Sequence, residues 1–537
     1  MPADAGAALR PLVGRVTAAA GDLRAALPAV VFAVLAAGLV ILGGYHPQHA
    51  DQASAGRLFQ LLAAAAAFVT GGLLVLEPWL GLVAWVLAMP LLSIARAQLV
   101  WGPLQVILTT VLVAALAVGW AVRLVRRQTV TLSAAPGESL PAAPVALASA
   151  GSARFAVPAA AAIVAALVVL AALSTAASPD PAGGLPIALH GLVEPAVLGL
   201  LVVALRPTRR QLGALGLAMG LSVAFASAFN LYRMSTLAHT LAELEVQRIQ
   251  LARLTYFNVG LFAGMLAMSL PFVLLGLVLY RRLPGRRLAL LALLLALLVS
   301  LAGLYLAFSK SGWLAALVAC LLFLLVAVGT WKARLGLGLL VLAVSALVVP
   351  WPLAILQAVA PGGADTYRSV ITATQGQNRA ASWDPSTAEG EVSISERWLA
   401  TRAGLQMAVD HPLLGVGPGR FGTEYATAYR PAGGQRNLGS AHDFLPNLAA
   451  EFGLLAGALV GLALLAALLL WARAVALAGG DERLVAAAFG TALVGFAVVG
   501  VAFGLDLYRA YRLMDSDMLF GALLVAAALA FTVARPG

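Results

Sequence analysis

Cysteine occurs once in the chain, at Cys320, which excludes an intrachain disulfide and a cysteine-rich metal site. Histidine is nearly as sparse. The six present are scattered and no carboxylate pair has ligand spacing, so no metal or other cofactor site is apparent. Charge is also scarce, at 11% of residues against the roughly 25% of a soluble domain. With 62% of residues hydrophobic, that shortage excludes one large soluble core. The strict alternation of polarity needed by a β-barrel strand is missing as well; the run LALLALLLALLVSLAGLYLAF does not alternate. What the chain has instead is a series of apolar runs of about 20 residues, the length that crosses a bilayer as a helix.

These runs predict spans at about 28–44, 58–76, 79–95, 103–122, 155–173, 186–205, 211–230, 257–280, 288–307, 313–330, 335–352, 443–471, 484–504 and 517–534. The fold expected is an all-α polytopic membrane protein with about 12–14 transmembrane helices and one large extracytoplasmic loop. Arg10, Arg15 and Arg24 precede the first run without a convincing cleavage site, so the first span reads as a signal anchor with its N-terminus inside. Arg123, Arg126, Arg127, Arg206, Arg209 and Arg210 then fall in inner loops, as do Arg281, Arg282, Arg286, Arg287, Lys332, Arg334, Arg473 and Arg483. The short outer loops YHPQHADQ and STAASPDPAGG are nearly free of Lys and Arg. Only the tight inner turn at Glu77–Pro78 lacks a cation. The net charge of +11 is therefore a topology signal and a contact for the lipid bilayer, and nucleic acid is not an expected partner.

Three organisational units follow: an N-terminal bundle over 1–352, a large loop over 353–441, and C-terminal spans over 442–537. Residues 128–153, rich in Pro, Ala and Ser, form a cytoplasmic linker. The segment from Asn230 to Tyr256 reads as an amphipathic interfacial helix carrying Arg233, Arg248 and Arg253 beside Glu243 and Glu245.

The chemically capable groups gather on the outer side. They are Arg253, Lys310, Arg397, Arg402, Arg420, Arg430, Arg436 and His442, with His190 and Glu194 one helical turn apart in their span. Any one cation alone is explained by lipid headgroups or a surface ion pair; the set together suits an anion. Ser393-Ile-Ser-Glu396 has the pattern of a capping box and predicts a helix over 394–410, ending before His411-Pro412. Arg397 falls in its first turn, where free N–H groups also favour an anion; Arg402 lies about 140° further round the helix. The stretch GVGPGRFG follows no strand and lacks Gly-Lys-Ser/Thr, so it reads as a turn that needs glycine dihedrals. Asp443, Asn447 and Glu451 recur every four residues, one polar stripe within an apolar helix that should face the bundle interior. His442 stands at the mouth of that stripe as a candidate general base.

The texts ERWLATRAGLQMAVDHPLLGVGPGRF and AHDFLPNLAAEFGLLAG resemble the O-antigen ligase and polymerase superfamily. RLTYFNVGLFAGML at Arg253 and FSKSGWLAA at Lys310 are weaker matches, and the resemblance covers about Arg253 to Gly457. Lys310 stands where an arginine is usual, Asp443 where Asn or Ser is usual, and Asn258-Val259-Gly260 departs from the family's segment there. The resemblance implies a GT-C-like glycosyltransferase of the bacterial cytoplasmic membrane, working on its outer face without a cofactor or metal. The donor would be a polyprenyl-pyrophosphate-linked glycan and the acceptor a hydroxyl on a lipid or glycan. By the same resemblance His442 takes the acceptor proton, while Arg253 and Arg397 hold the pyrophosphate. Lys310, Arg402, Arg420, Arg436, Asp443, Glu451, His190 and Glu194 are candidates for substrate binding. A polymerase joining lipid-linked repeats shares this donor chemistry. A glycolipid flippase is the reading from another class; it predicts internal inverted repeats, and none is found in the sequence.

Overall fold

A computed structural model of the protein describes residues 30–37, 53–94, 98–101, 104–133, 150–237, 259–280, 287–307, 310–328, 389–431, 438–441, 443–502 and 516–533. Among them, eight helices are long and apolar enough to cross a membrane, and four shorter apolar helices accompany them. The chain is an all-α polytopic membrane protein. The one exception among the described residues is a small antiparallel hairpin, β1 (Gln98–Trp101) with β2 (Leu104–Ile107), in which Gln98 pairs with Ile107. It takes the first residues of the span expected at 103–122, whose helix starts only at Leu108. The span expected at 335–352 and most of that at 28–44 lie outside the described residues.

Two compact units, Met1–Gly151 and Ser152–Gly537, make up the chain. In the first, α1 (Ala53–Leu76), α2 (Pro78–Ile94) and α3 (Leu108–Ser133) pack through glycines. A Cβ on Gly119 would stand 2.1 Å from the Leu74 carbonyl oxygen, so α3 approaches α1 as closely as a helix without a side chain allows. Glu77, in the turn between α1 and α2, accepts from Arg123 of α3. The Glu77–Pro78 turn, which has no cation of its own, is thus joined to the basic end of α3.

The second unit contains α4 (Ala150–Ala177), α5 (Pro181–Ala204), α6 (Arg209–Leu237), α7 (Val259–Tyr280), α8 (Arg287–Leu306) and α9 (Lys310–Ala327). Further along the chain come α10 (Glu389–Asp410), α11 (Phe421–Glu424), α12 (Phe444–Phe452), α13 (Leu454–Leu477), α14 (Gly480–Ala497) and α15 (Ser516–Val533). The spanning part of α7 is 78% buried and that of α14 72%, so these two form the centre of the unit. The α8 and α13 spans are each only 28% buried and turn leucines such as Leu291, Leu298, Leu462 and Leu469 outward, as lipid-facing helices do. Aromatic contacts fill the centre: Phe272 meets Phe489 edge-on at 4.7 Å between ring centroids, and Trp471 stacks on Phe489 at 5.2 Å.

Side-chain contacts also sort the ends of the helices. Arg209, at the start of α6, pairs with Glu482 at the start of α14, and its guanidinium lies 5.1 Å from the centre of the Phe531 ring. At the other end of α5, the last turn of α4 meets the residues that follow α10, where Ser174 Oγ lies 2.7 Å from the Leu414 carbonyl oxygen. The second of these ends carries the candidate site.

Candidate functional site

Pro412 lacks an N–H and disfavours helical geometry at His411, so α10 stops at Asp410. A glycine-rich loop follows, with Gly415, Gly417 and Gly419 at φ of 68°, 102° and 74°. Only glycine takes these values without strain, which accounts for GVGPGRFG as a turn. The loop docks on a break in another helix. The span expected over 443–471 is in fact two helices, α12 and α13, separated by Gly453 at φ 91° and ψ 162°. That break leaves the last carbonyls of α12 without helical partners. The loop supplies them: Val416 N donates to Ala450 O at 2.8 Å and Gly417 N to Glu451 O at 3.2 Å. In return, Leu454 N, the first of α13, donates to Pro412 O at 2.8 Å.

The polar stripe of α12 faces this assembly. The Glu451 carboxylate, 1% exposed, accepts from Gly419 N at 2.8 Å through one oxygen and from Phe421 N at 3.3 Å through the other. Asn447 Oδ1 accepts from Ala441 N at 2.8 Å. Asp443 precedes α12 as its N-cap residue and accepts from the Thr401 hydroxyl, which also lies 3.2 Å from Ala441 O. The buried face of α10, through Ala400, Ala403 and Met407, packs on Val416, Phe421 and Ala441 in one apolar cluster. Ser174 Oγ lies 2.9 Å from Glu451 O, adding α4 to the assembly. Sequence reasoning missed Thr401 and Ser174, because a hydroxyl on a helix gives no signal until its partner from elsewhere in the chain is known.

Thr401 lies one turn beyond Arg397 on α10, and Ala441 and Asp443 flank position 442. The stitch from Thr401 to residues 441 and 443 therefore joins α10, one turn past Arg397, to the two residues that flank position 442. The helix around Arg397 begins at Glu389, so Ser393 falls inside it and does not cap it. Lys310 opens α9. For Lys310 and Arg397 the description extends to the backbone alone, and Arg253, Arg436 and His442 lie outside the described residues.

The other candidates are placed with their side chains. Arg402 is exposed on α10, and Arg420 pairs with Glu424 at 2.9 Å. His190 and Glu194 form a buried pair, with Nδ1 to Oε2 at 3.0 Å, on a π-helical turn within α5. That turn belongs to the apolar cluster of Ile187, Leu192, Leu448 and Phe452, against the other side of α12. At the rim of the loop, desolvation followed by a hydrogen bond to Asp410 and the charges of Asp410 and Glu424 raise the pKa of the Tyr429 phenol above its usual value. It stays protonated, as a hydrogen-bond donor.

An apolar groove, partly open to the surroundings, runs beneath this assembly between α4, α5, α13 and α15. It extends along α5 from Gly191 to Val203, about 18 Å at helical rise. Phe444 and Phe496, which meet edge-on at 6.2 Å, are part of its wall. Phe444 is two residues beyond position 442, so the groove's lining reaches the turn where α12 begins.

The family model described as O-antigen ligase matches residues 295–461 of the chain. The match takes in Lys310, Arg397, Arg402, Arg420, Arg436, His442, Asp443 and Glu451 and leaves out His190, Glu194 and Arg253. Its far boundary falls eight residues past the break at Gly453, so the docked loop and both halves of the broken helix lie inside it. No curated protein matches the chain significantly. The match supports a role in lipid-linked glycan transfer for an integral membrane protein.

Proposed function

Starting from an O-antigen ligase domain at residues 295–461, we propose that the chain transfers a glycan from a polyprenyl-pyrophosphate carrier to an acceptor hydroxyl on the outer face of the bacterial cytoplasmic membrane. The observation that carries this reading is the stitch from Thr401 to Ala441 and Asp443, which ties α10 one turn past Arg397 to the two residues on either side of position 442. His442 takes the proton of the acceptor hydroxyl as its oxygen attacks the anomeric carbon. The bond from that carbon to the diphosphate oxygen breaks, and the configuration inverts. Arg397 and Arg253 neutralise the charge that grows on the leaving diphosphate, with Lys310 as a further point charge. No nucleotide sugar is on hand at the outer face, which is why a carrier lipid must bring the activated glycan.

The groove fits this donor. A prenyl chain laid against α4, α5, α13 and α15 would present its diphosphate near Phe444, at the start of α12. Ala463 lines the groove and is half-buried, so Ala463→Trp fills space without entering the core. The expected result is a KM about 10-fold higher for a long-chain donor, with little change for a donor whose chain is a few carbons long.

The direct test uses purified protein, a polyprenyl-diphosphate glycan and a defined acceptor. His442→Ala should lower the transfer rate about 10²–10⁴-fold, the usual contribution of a general base. Arg397→Ala should lower it by at least about 10²-fold, the scale of one lost electrostatic stabiliser. Full transfer by either variant would remove that residue from the mechanism. Supplying a second lipid-linked repeat as acceptor, in place of a lipid A–core, separates a polymerase from a ligase. Movement of lipid across liposomes with no new glycosidic bond would mark a flippase.

A further inference from the structure

α10 has two apolar faces, and only one is covered. Ala400, Ala403 and Met407 pack into the loop assembly. On the opposite side Trp398 is 64% exposed, Leu405 47% and Val409 62%, and just past the helix end Leu413 is 76% exposed. At about 100° per residue, Trp398, Leu405 and Val409 fall within roughly 40° of one another around the helix. This is a stripe and not a scatter of isolated apolar residues. Arg402, Gln406 and Asp410, all exposed, lie along one flank of it, with the spacing of an amphipathic helix that has one side in oil and the other in water.

The stripe is continuous with surface that faces lipid. Pro412 O accepts from Leu454 N, so the end of the stripe at Leu413 sits directly on the start of α13. There Leu454 is 42% exposed and Leu455 52%, and the exposed face continues down the helix through Leu462, Leu465 and Leu469. An aqueous setting for α10 would therefore leave a row of large apolar side chains in water immediately above the hydrocarbon.

We infer that α10 is an interfacial helix: its Trp398–Leu405–Val409 stripe, with Leu413, is seated in the leaflet on the loop side of the membrane. Such a helix buries its apolar face about 5–10 Å into the boundary between headgroups and acyl chains. Trp398 occupies the level favoured by tryptophan, and Arg402 on the flank faces the headgroup phosphates. The occupant of this surface is the bilayer itself. The inference is independent of whether the chain transfers a glycan.

The test places nitroxide labels on the full chain reconstituted in phosphatidylcholine vesicles containing a minority of phosphatidylglycerol. In a Cys320→Ala background, Leu405→Cys and Val409→Cys report on the stripe, and Gln406→Cys and Asp410→Cys on its polar flank. Because all four positions are exposed, the labels displace no packed side chain. Collision rates are measured with oxygen, which concentrates in lipid, and with a water-soluble nickel chelate. The expected oxygen-to-nickel ratio is about 3-fold or more higher at positions 405 and 409 than at 406 and 410. Equal ratios at all four positions would overturn the inference, and so would labels at 405 and 409 shielded from both reagents, which would mean that protein covers the stripe. A second measurement does not depend on the cysteine background. Lipids brominated near the headgroup end of their chains should quench the emission lost on Trp398→Phe; an unquenched difference spectrum would equally overturn the inference.

Discussion

Glu451→Ala is expected to loosen the hold of the glycine-rich loop on α12 and to lower transfer. Two main-chain N–H groups, those of Gly419 and Phe421, bond to this one carboxylate, and hydrogen bonds to a charged group are worth roughly 1.5–3 kcal/mol each. A net loss of about 3 kcal/mol corresponds to roughly 100-fold more frequent opening of the loop. Amide exchange of peptides covering 411–421 should accelerate by about that factor, while peptides from α7 keep their protection. Glu451→Gln offers one acceptor oxygen where two are needed and turns an N–H₂ group toward a backbone N–H, so it should fall close to alanine and far from the parent. A loop with unchanged exchange in Glu451→Ala would show that the backbone bonds from Val416 and Gly417 hold it unaided.

Gly453→Ala should be at least as damaging, for a reason that involves no lost hydrogen bond. With φ at 91° and ψ at 162°, Gly453 lies in a region that other residues essentially do not enter, at a cost of about 1–3 kcal/mol. Its added Cβ would also stand 2.4 Å from the Leu413 carbonyl oxygen, a backbone atom that cannot swing aside. Relief requires either a straightened helix through 452–454 or a displaced loop, and both undo the bond from Leu454 N to Pro412 O. The expected outcome is transfer lowered by about 10²-fold or more, together with a lower melting temperature in detergent. Gly479→Ala provides the comparison: nothing lies within 4 Å of a Cβ there, so it should behave as the parent.

The contrast between these two glycines shows what the sequence could and could not tell. Hydropathy located the helices, because a span of lipid-soluble residues is a property of a contiguous window. The same measure ran straight through Gly453, since α12 and α13 are apolar on both sides of it and only the dihedral angle reveals the break. The hairpin at Gln98–Ile107 was missed for a similar reason: its second strand, Leu104–Ile107, runs directly into the helix that starts at Leu108. At the site, the spacing of Asp443, Asn447 and Glu451 correctly indicated one inward-facing stripe. Their partners are a threonine hydroxyl and the main-chain N–H groups of Ala441, Gly419 and Phe421, which no residue type announces. The one-turn spacing of His190 and Glu194 was legible because both lie on the same element; their burial in an apolar cluster was not.

The hydrogen bonds that hold the docked loop on α12 join its own N–H groups on one side to helix carbonyls and a single carboxylate on the other. The grip is therefore indifferent to most side chains along it. Leu413 is exposed and makes none of these bonds through its side chain, so exchanging it leaves them in place as long as the glycines and Glu451 remain. The loop is thus a replaceable cassette on a fixed socket, whose exposed side chains can be changed while its attachment is kept.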